Sequence, residues 1–179
     1  KGTIGGDIAH GDPGNDHPAL SIAIEASFVL EGPKGRRTVA ADGFFLGTYM
    51  TLLQEDEVMC EIHAPAFPQG TGWAYEKLKR KTGDWATAGC AVVMRKSGDK
   101  VSHVRIALTN VAPSALRVEA AEAALLNQPF SAATVQTAAD AATAACDPAE
   151  DLRGDIEYKT AMAGEMVKRA INKAWALCS

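Results

Sequence analysis

Ala91-Val92-Val93-Met94-Arg95-Lys96-Ser97-Gly98-Asp99-Lys100-Val101-Ser102-His103-Val104-Arg105-Ile106-Ala107-Leu108 sets two apolar runs on either side of a Ser-Gly-Asp triplet. β-Branched residues suit a pleated surface, and glycine gives the backbone the freedom a tight reversal needs. Strands are therefore expected at Ala91 to Lys96 and Val101 to Leu108, joined through Ser97-Gly98-Asp99. Trp73 to Arg80 has the same character, so the expected unit is a three-stranded antiparallel sheet. Downstream the pattern turns helical. Ser114 and Ser131 serve as N-caps for alanine-rich helices over Ala115 to Leu126 and Ala132 to Ala145. A last helix, about Asp155 to Leu177, places Ile156, Met162, Met166 and Ala170 at helical spacing, with Trp175 near its end. A sheet followed by helices in this order reads as α+β.

Upstream of the sheet, Ala64 to Gly72 holds two prolines and two glycines, which predicts a boundary between units. Before it, Val58 to His63 has strand character, and the apolar Phe44, Phe45 and Leu46 are expected to lead into a short helix. Ser27 to Leu30 and Arg36 to Ala40 flank the turn Glu31-Gly32-Pro33-Lys34-Gly35 and read as a hairpin. A helix from Pro18 to about Ala26 is expected, with Asp16 or His17 as its cap.

The first eighteen residues, from Lys1 to Pro18, contain five glycines and two prolines among short polar groups. They are expected to be neither helix nor strand. At Gly5 and Gly6 the absence of a Cβ would let successive amides turn toward one point, the geometry by which a loop holds a phosphate. With nothing before it to pack against, this loop is expected to belong to a larger structure that supplies the rest of its site.

Composition narrows the function classes. A chain of 179 residues with 47% hydrophobic and 22% charged residues can bury a core. A formal charge of -4 argues against a nucleic-acid binder, and the basic run Lys77-Leu78-Lys79-Arg80-Lys81 does not reverse it. The apolar stretch from Ala19 to Leu30 is broken by Ser21, Glu25 and Ser27, far short of the roughly 20 residues that span a bilayer. A soluble, cytoplasmic chain without a signal peptide is expected. Cys60, Cys90, Cys146 and Cys178 lie too far apart for a thiolate metal site, and reduced thiols are expected.

No catalytic residue and no metal ligand set are assigned. Counting from Asp12 as a calcium loop, the twelfth place that needs Glu is Ala23. His10, Asp12, Asp16 and His17 lie in an irregular segment that no helix gathers on one face, which disfavours zinc. No Walker signature follows the glycines, and Ser21 lacks a nucleophile-elbow context. The polar residues His10, Asp12, Asn15 and Asp16 have the chemistry to bond sugar hydroxyls or a heterocycle edge. In a strand, Tyr75, Lys77, Lys79 and Lys81 share one face, either as a solvated edge that discourages strand addition or as a source of one contact to an anionic cofactor. Trp85, after Gly83-Asp84, sits where a turn can present it to a flat aromatic ligand.

Four stretches together resemble the medium, flavin-carrying subunits of the molybdenum hydroxylases, and most of all the carbon monoxide-oxidising members. They are Thr3-Ile4-Gly5-Gly6-Asp7 through Gly11-Asp12-Pro13-Gly14-Asn15-Asp16, then Ala74-Tyr75-Glu76-Lys77-Leu78-Lys79-Arg80-Lys81-Thr82-Gly83-Asp84-Trp85, then Leu108-Thr109-Asn110-Val111-Ala112, and Asp151-Leu152-Arg153-Gly154-Asp155 with Tyr158. The resemblance implies that residues 1–68 are the second subdomain of an FAD-binding unit of the PCMH/VAO type. It implies that residues 69–179 are a C-terminal domain of three strands and a helical bundle, and that the first FAD subdomain has no counterpart in the chain. It further implies that Thr3, Ile4, Gly5, Gly6 and Asp7 wrap the FAD pyrophosphate, that Asp16 lies near the ribityl chain or ring edge, that Met59 and Lys77 line the cofactor, and that Trp85 lies over the isoalloxazine. Many relatives carry Asn where Asp7 stands; a carboxylate beside a pyrophosphate is repulsive, so the backbone N–H is the expected contact there. The implied partners are a small subunit with iron–sulfur clusters and a large subunit with a molybdenum cofactor and copper, in a dimer of heterotrimers. Electrons would leave to a quinone, at the inner face of the cell membrane. Xanthine, aldehyde or N-heterocycle hydroxylation by the large subunit, and a non-catalytic scaffold role, are the alternatives.

Overall fold

Strand and helix signals alternate along the chain, and the computed structural model, which describes residues 2–179, follows most of them; Lys1, at the head of the glycine-rich stretch, lies outside the described residues. In chain order the elements are α1 (Ile4–His10), α2 (Asp16–Ala23), β1 (Ser27–Gly32), β2 (Gly35–Ala40), β3 (Phe45–Gly47), β4 (Met50–Thr51) and β5 (Val58–His63). They continue as β6 (Gly72–Leu78), β7 (Ala88–Ser97), β8 (Lys100–Thr109), β9 (Leu116–Arg117), α3 (Glu119–Leu125), α4 (Ala132–Ala145) and α5 (Ile156–Leu177). The class is α+β, as expected.

The sheet expected from Ala91 to Leu108 forms as an antiparallel hairpin with Ser97 opposite Lys100 and Gly98 at φ +63°. It has four strands rather than three, in the order β6-β7-β8-β9. The extra strand occupies the start of the helix expected from Ala115, which begins instead at Glu119 with Val118, not Ser114, at its N-cap. A buried carboxylate explains the shift. Glu122 accepts from the Ile106 amide at 3.0 Å and from Arg117 Nη2 at 2.7 Å, and that pairing requires Arg117 to be extended against β8.

Strand alternation gives this sheet two apolar faces. Ala88, Cys90, Val92, Met94, Val104, Ile106 and Leu108 face a core closed by α3, α4 and α5. Ala91, Val93 and Ala107 face a second core with Ile8, Ala19, Ile22, Ala23 and the aromatic cluster Phe28, Phe44 and Phe45. The small residues on that side let α2 lie close against β7 and β8. Ala64 to Gly72 is irregular apart from its last residue, where β6 begins, yet the second core runs across it because the sheet belongs to both sides.

Three other expectations change. The glycine-rich opening is helical: Thr3 Oγ1 accepts the Gly6 N–H at 3.0 Å, Ile8 is buried, and Gly11 ends the turn at φ +65°. The side-chain cap and the Ile8 anchor offset the entropy cost of two helical glycines. The α2 helix starts at Asp16, with Asn15 rather than Asp16 or His17 at its N-cap, and ends at Ala23. The helix expected after Phe44 is a small hairpin of β3 and β4 whose Tyr49 amide bonds to the Gly11 carbonyl at 3.0 Å. The hairpin of β1 and β2 forms with Ser27 opposite Ala40, and β5 joins β1 on its other edge.

Candidate functional site

The site is built where α1, the start of α2, the end of β6 and the Gly83–Trp85 turn meet. Because side chains alternate along β6, Tyr75 and Lys77 leave the sheet on the same face, and both reach the first residue of α2. The Tyr75 hydroxyl donates to Asp16 Oδ1 at 2.7 Å, and Lys77 Nζ donates to Asp16 Oδ2 at 2.7 Å. Each carboxylate oxygen thus has its own donor, which fixes the side chain in one orientation. Burial pushes the Tyr75 phenol well up, and the neighbouring Asp16 charge pushes in the same direction, so Tyr75 remains a donor.

Trp85 stands beside this pair. Its indole Nε1–H donates to Asn15 Oδ1 at 2.8 Å, while 48% of the residue stays exposed. A Cβ on Gly14 would come within 3.0 Å of the indole, so the ring packs against a position that only glycine leaves clear. The Arg153 guanidinium lies over the same ring, 5.3 Å from its centroid. The preceding residue, Asp84, is buried and accepts from Arg80 Nε at 3.0 Å and from the Trp85 amide at 2.9 Å. Burial alone would raise its carboxyl; Arg80, the amide and Arg153 outweigh that and hold it below the ordinary range. The turn carrying Trp85 is therefore pinned by charge.

These residues line two adjoining hollows. A groove of 220 Å³ is bounded by Asp7, Gly14, Asn15, Asp16, Lys77 and Trp85, among others. A cleft of 560 Å³ shares Gly14 and Trp85 with it and continues past Thr48, Tyr49, Asn110, Arg153 and Lys159. The indole is common to both.

Of the residues implied by the resemblance, the structure brings Asp7, Asp16, Lys77 and Trp85 to the one groove. The Asp7 carboxylate is taken by His17 Nδ1 at 2.8 Å and its amide by the Thr3 carbonyl at 3.0 Å, so that amide is committed within α1. The Gly6 amide is committed to Thr3 Oγ1. Thr3 and Ile4 are exposed, and a Cβ built on Gly5 meets nothing within 4 Å, so the turn keeps open space in front of it. Met59 faces Leu30 across the β1–β5 pair and packs half-buried against the second core, outside the lining of groove and cleft. Sequence reasoning did not single out Tyr75 as the partner of Asp16, nor Arg153 as the cation on Trp85. The shared face of Tyr75 and Lys77 was the available signal for the first; the second contact joins residues far apart in the chain and had none.

Comparison with known proteins bears on both halves. Residues 73–174 match the family described as CO dehydrogenase flavoprotein C-terminal domain, and residues 1–67 match the FAD binding domain in molybdopterin dehydrogenase. The chain is 78% identical to the carbon monoxide dehydrogenase medium chain of Hydrogenophaga pseudoflava over all 179 residues, which is 62% of that protein. It is 46% identical over 98% of its length to the corresponding medium chain of Afipia carboxidovorans, covering 61% of it. Among solved structures, carbon monoxide dehydrogenase from Hydrogenophaga pseudoflava superposes with a TM-score of 0.99 at 81% identity, over 99% of this chain and 62% of the other. Quinoline 2-oxidoreductase from Pseudomonas putida 86 superposes with a TM-score of 0.89 at 30% identity, over 98% of this chain and 61% of that one. The chain thus spans about three fifths of the relatives it matches, and by its matched domains it belongs to the CO dehydrogenase flavoprotein family, with the FAD binding domain of molybdopterin dehydrogenases at its N-terminal side.

Proposed function

We propose that this chain is part of the FAD-carrying electron-transfer subunit of an aerobic carbon monoxide dehydrogenase. The observation that supports this most is the meeting of Asp16, Lys77 and Trp85 at one groove beside the open turn of α1. At 220 Å³ the groove is smaller than the roughly 300–1,000 Å³ that enclose a whole cofactor-sized ligand, so it holds one part of FAD. The residues fit such a part: an exposed indole for a flat ring, the paired Asp16 and Lys77 for polar edges, and a glycine-rich turn with room for phosphate. The division into residues 1–68 as the second FAD subdomain and 69–179 as the C-terminal domain is part of the proposal.

Bound FAD would supply the conversion between one-electron and two-electron transfer. The chain's own residues orient it. Asp16, locked by Tyr75 and Lys77, presents a fixed polar edge to the ribityl chain or ring. Trp85, held by Asn15 and backed by Arg153, offers the stacking face, worth about 0.5–1.5 kcal/mol beyond burial. At the N-terminus of α1 the Ile4 and Gly5 amides, which have no acceptor within the helix, face the pyrophosphate, the Gly6 amide being held by Thr3, and Asp7 is kept from it by His17. Met59 stands on β5, on which α1 packs, and is part of the proposal as a residue on the cofactor's side of that strand pair.

Electrons would arrive from a small iron–sulfur subunit, and carbon monoxide would be oxidised by a large subunit with molybdenum and copper, as the name Cu,Mo-CO dehydrogenase of a solved relative suggests. They would leave to a quinone at the inner face of the cell membrane. Among the described residues no helix is long and apolar enough to cross a membrane, so such an association would be peripheral. The substrate assignment rests on the 78% identity. The 33% identity to the nicotine 6-hydroxylase medium subunit of Paenarthrobacter nicotinovorans goes with a different substrate, which the large subunit would choose.

The test is the absorption spectrum and acceptor reduction of the complete complex. Oxidised flavin bands that bleach with carbon monoxide are expected. A colourless, folded complex, or bands that bleach only with an N-heterocycle, would overturn the cofactor or the substrate assignment respectively.

A further inference from the structure

Of the buried charged groups that lie outside the groove among the described residues, the ammonium of Lys159 is the most enclosed, in a residue 1% exposed within the first turns of α5. An ammonium taken out of water needs hydrogen-bonded partners, and its partners show what it holds. Lys159 Nζ donates to the Ala149 carbonyl at 2.8 Å and lies 3.0 Å from Asp151 Oδ2. Asp151 opens a tight turn. Its carboxylate accepts the Arg153 amide at 2.8 Å and pairs with Arg153 Nη1 at 3.3 Å, while its backbone N–H and C=O both bond to Gly154. Burial alone would raise the Asp151 carboxyl; the hydrogen bonds from Lys159 and Arg153 bring it below its ordinary range, so it stays charged. The turn then delivers Arg153 to Trp85, with Nη2 3.6 Å from Asp84 Oδ1 and the guanidinium 5.3 Å from the indole centroid. Arg80 Nη1 and Thr87 Oγ1 bond to the Leu152 and Arg153 carbonyls, fastening the same turn to the segment around Trp85.

We infer that Lys159 is a positioning residue: through Asp151 it holds the Arg153 guanidinium against the Trp85 indole, and so sets the pose in which that ring meets its ligand. Packing alone does not account for the contacts. An apolar side chain of the same length would fill the space, yet it would leave the Ala149 carbonyl without a partner and Asp151 Oδ2 with only the longer Arg153 Nη1 contact at 3.3 Å, and let the turn relax. Arg153 Nε is buried without a hydrogen-bond partner, so the guanidinium keeps its place through its terminal nitrogens and the indole face rather than through a full set of its own bonds. Removing Lys159 therefore loosens Arg153 first.

The consequence for the flavin rests on the proposed function, but the test does not. In the intact subunit carrying 5-fluorotryptophan, the Trp85 resonance is assigned by its loss in Trp85→Phe. Lys159→Met is expected to shift that resonance by an amount comparable to Arg153→Leu, with the Trp175 resonance unmoved. In the Arg153→Leu background, Lys159→Met is expected to add nothing, because its effect runs through Arg153. If Lys159→Met prevents folding, Asp151→Asn reads the same linkage from the more exposed partner and is expected to shift Trp85 likewise. A folded Lys159→Met or Asp151→Asn subunit with the Trp85 resonance in its original place overturns the inference, as does a full additional shift in the Arg153→Leu background. A parallel measurement of flavin potential separates the two readings: a moved Trp85 resonance with an unmoved potential keeps the positioning role and removes the flavin contact.

Discussion

Gly5→Ala in the intact subunit should have opposite effects on stability and on cofactor binding. Gly5 is the second residue of α1, and a Cβ there meets nothing within 4 Å. Alanine loses less backbone freedom than glycine on becoming helical, a gain of about 0.5–1 kcal/mol for the flavin-free subunit. At roughly 2–4 °C per kcal/mol for a chain of this size, Tm should rise by about 1–4 °C. If the same turn faces the pyrophosphate, the methyl group stands where a phosphate oxygen must come close. Loss of one hydrogen bond to a charged group costs about 1.5–3 kcal/mol, or roughly a ten- to 150-fold weaker Kd for FAD. Gly6→Ala is the control. Its Cβ would lie 3.1 Å from Thr3 Oγ1, so it should disturb the cap and lower Tm instead. Differential scanning fluorimetry on the flavin-free subunit and an FAD titration by flavin fluorescence measure the two effects. A raised Tm with an unchanged Kd refutes the pyrophosphate placement, and a lowered Tm refutes the account of α1.

Four further outcomes are expected. Trp85→Ala should alter the flavin spectrum or potential, whereas Trp175→Ala, whose ring stacks on Phe130 at 4.2 Å, should lower Tm and leave the flavin unmoved; equal spectral effects would place Trp85 with the core. Tyr75→Phe should free one oxygen of Asp16 and weaken FAD binding by about three- to tenfold, the size of a modest hydrogen bond, read by the same titration. Gly72→Ala drives a Cβ into the Ala174 carbonyl, which is helix backbone and cannot swing aside, and against Cys178 Sγ, so denaturant melts should show a loss of about 2–3 kcal/mol with no change in flavin affinity per folded molecule. Glu57, held by both nitrogens of a forked Arg37 contact at 2.7 Å, has its carboxyl lowered from 4.5 to about 2, first through that hydrogen bond. Between those values the unfolded chain takes up a proton that the folded one does not, so stability falls as pH drops from 4.5 toward 2, and Glu57→Gln should flatten that part of an acid titration of Tm.

Local signals were legible where one segment decides its own structure. Asp155 caps α5 by accepting the Tyr158 amide at 2.7 Å, and Ser131 and Thr134 form a reciprocal cap on α4; both helices begin where the sequence says. The hairpin at Gly98 is legible for the same reason. The helix at Gly5 and Gly6 was not, because its stability comes from a threonine cap and from burying Ile8, which outweigh two poor helix formers. Leu116 and Arg117 become a strand because a carboxylate on the next helix pulls Arg117 flat against β8, an event outside local pattern. In the site, alternation along β6 put Tyr75 and Lys77 on one side, but their partner Asp16 lies 61 residues before Lys77 and could not be read from spacing. The Arg153 contact with Trp85 is likewise visible only after folding.

Because β7 and β8 present small apolar side chains to α2 as well as large ones to the helical layer, the stretch after Gly72 is not self-sufficient. Expressed without its leading portion, it would bare Ala91, Val93 and Ala107 to water along a flat, strand-rich surface and seek other copies to hide them. The proline-rich crossing between the halves therefore marks a change of architecture, and a surgeon's cut there would yield a sticky remnant rather than a working module.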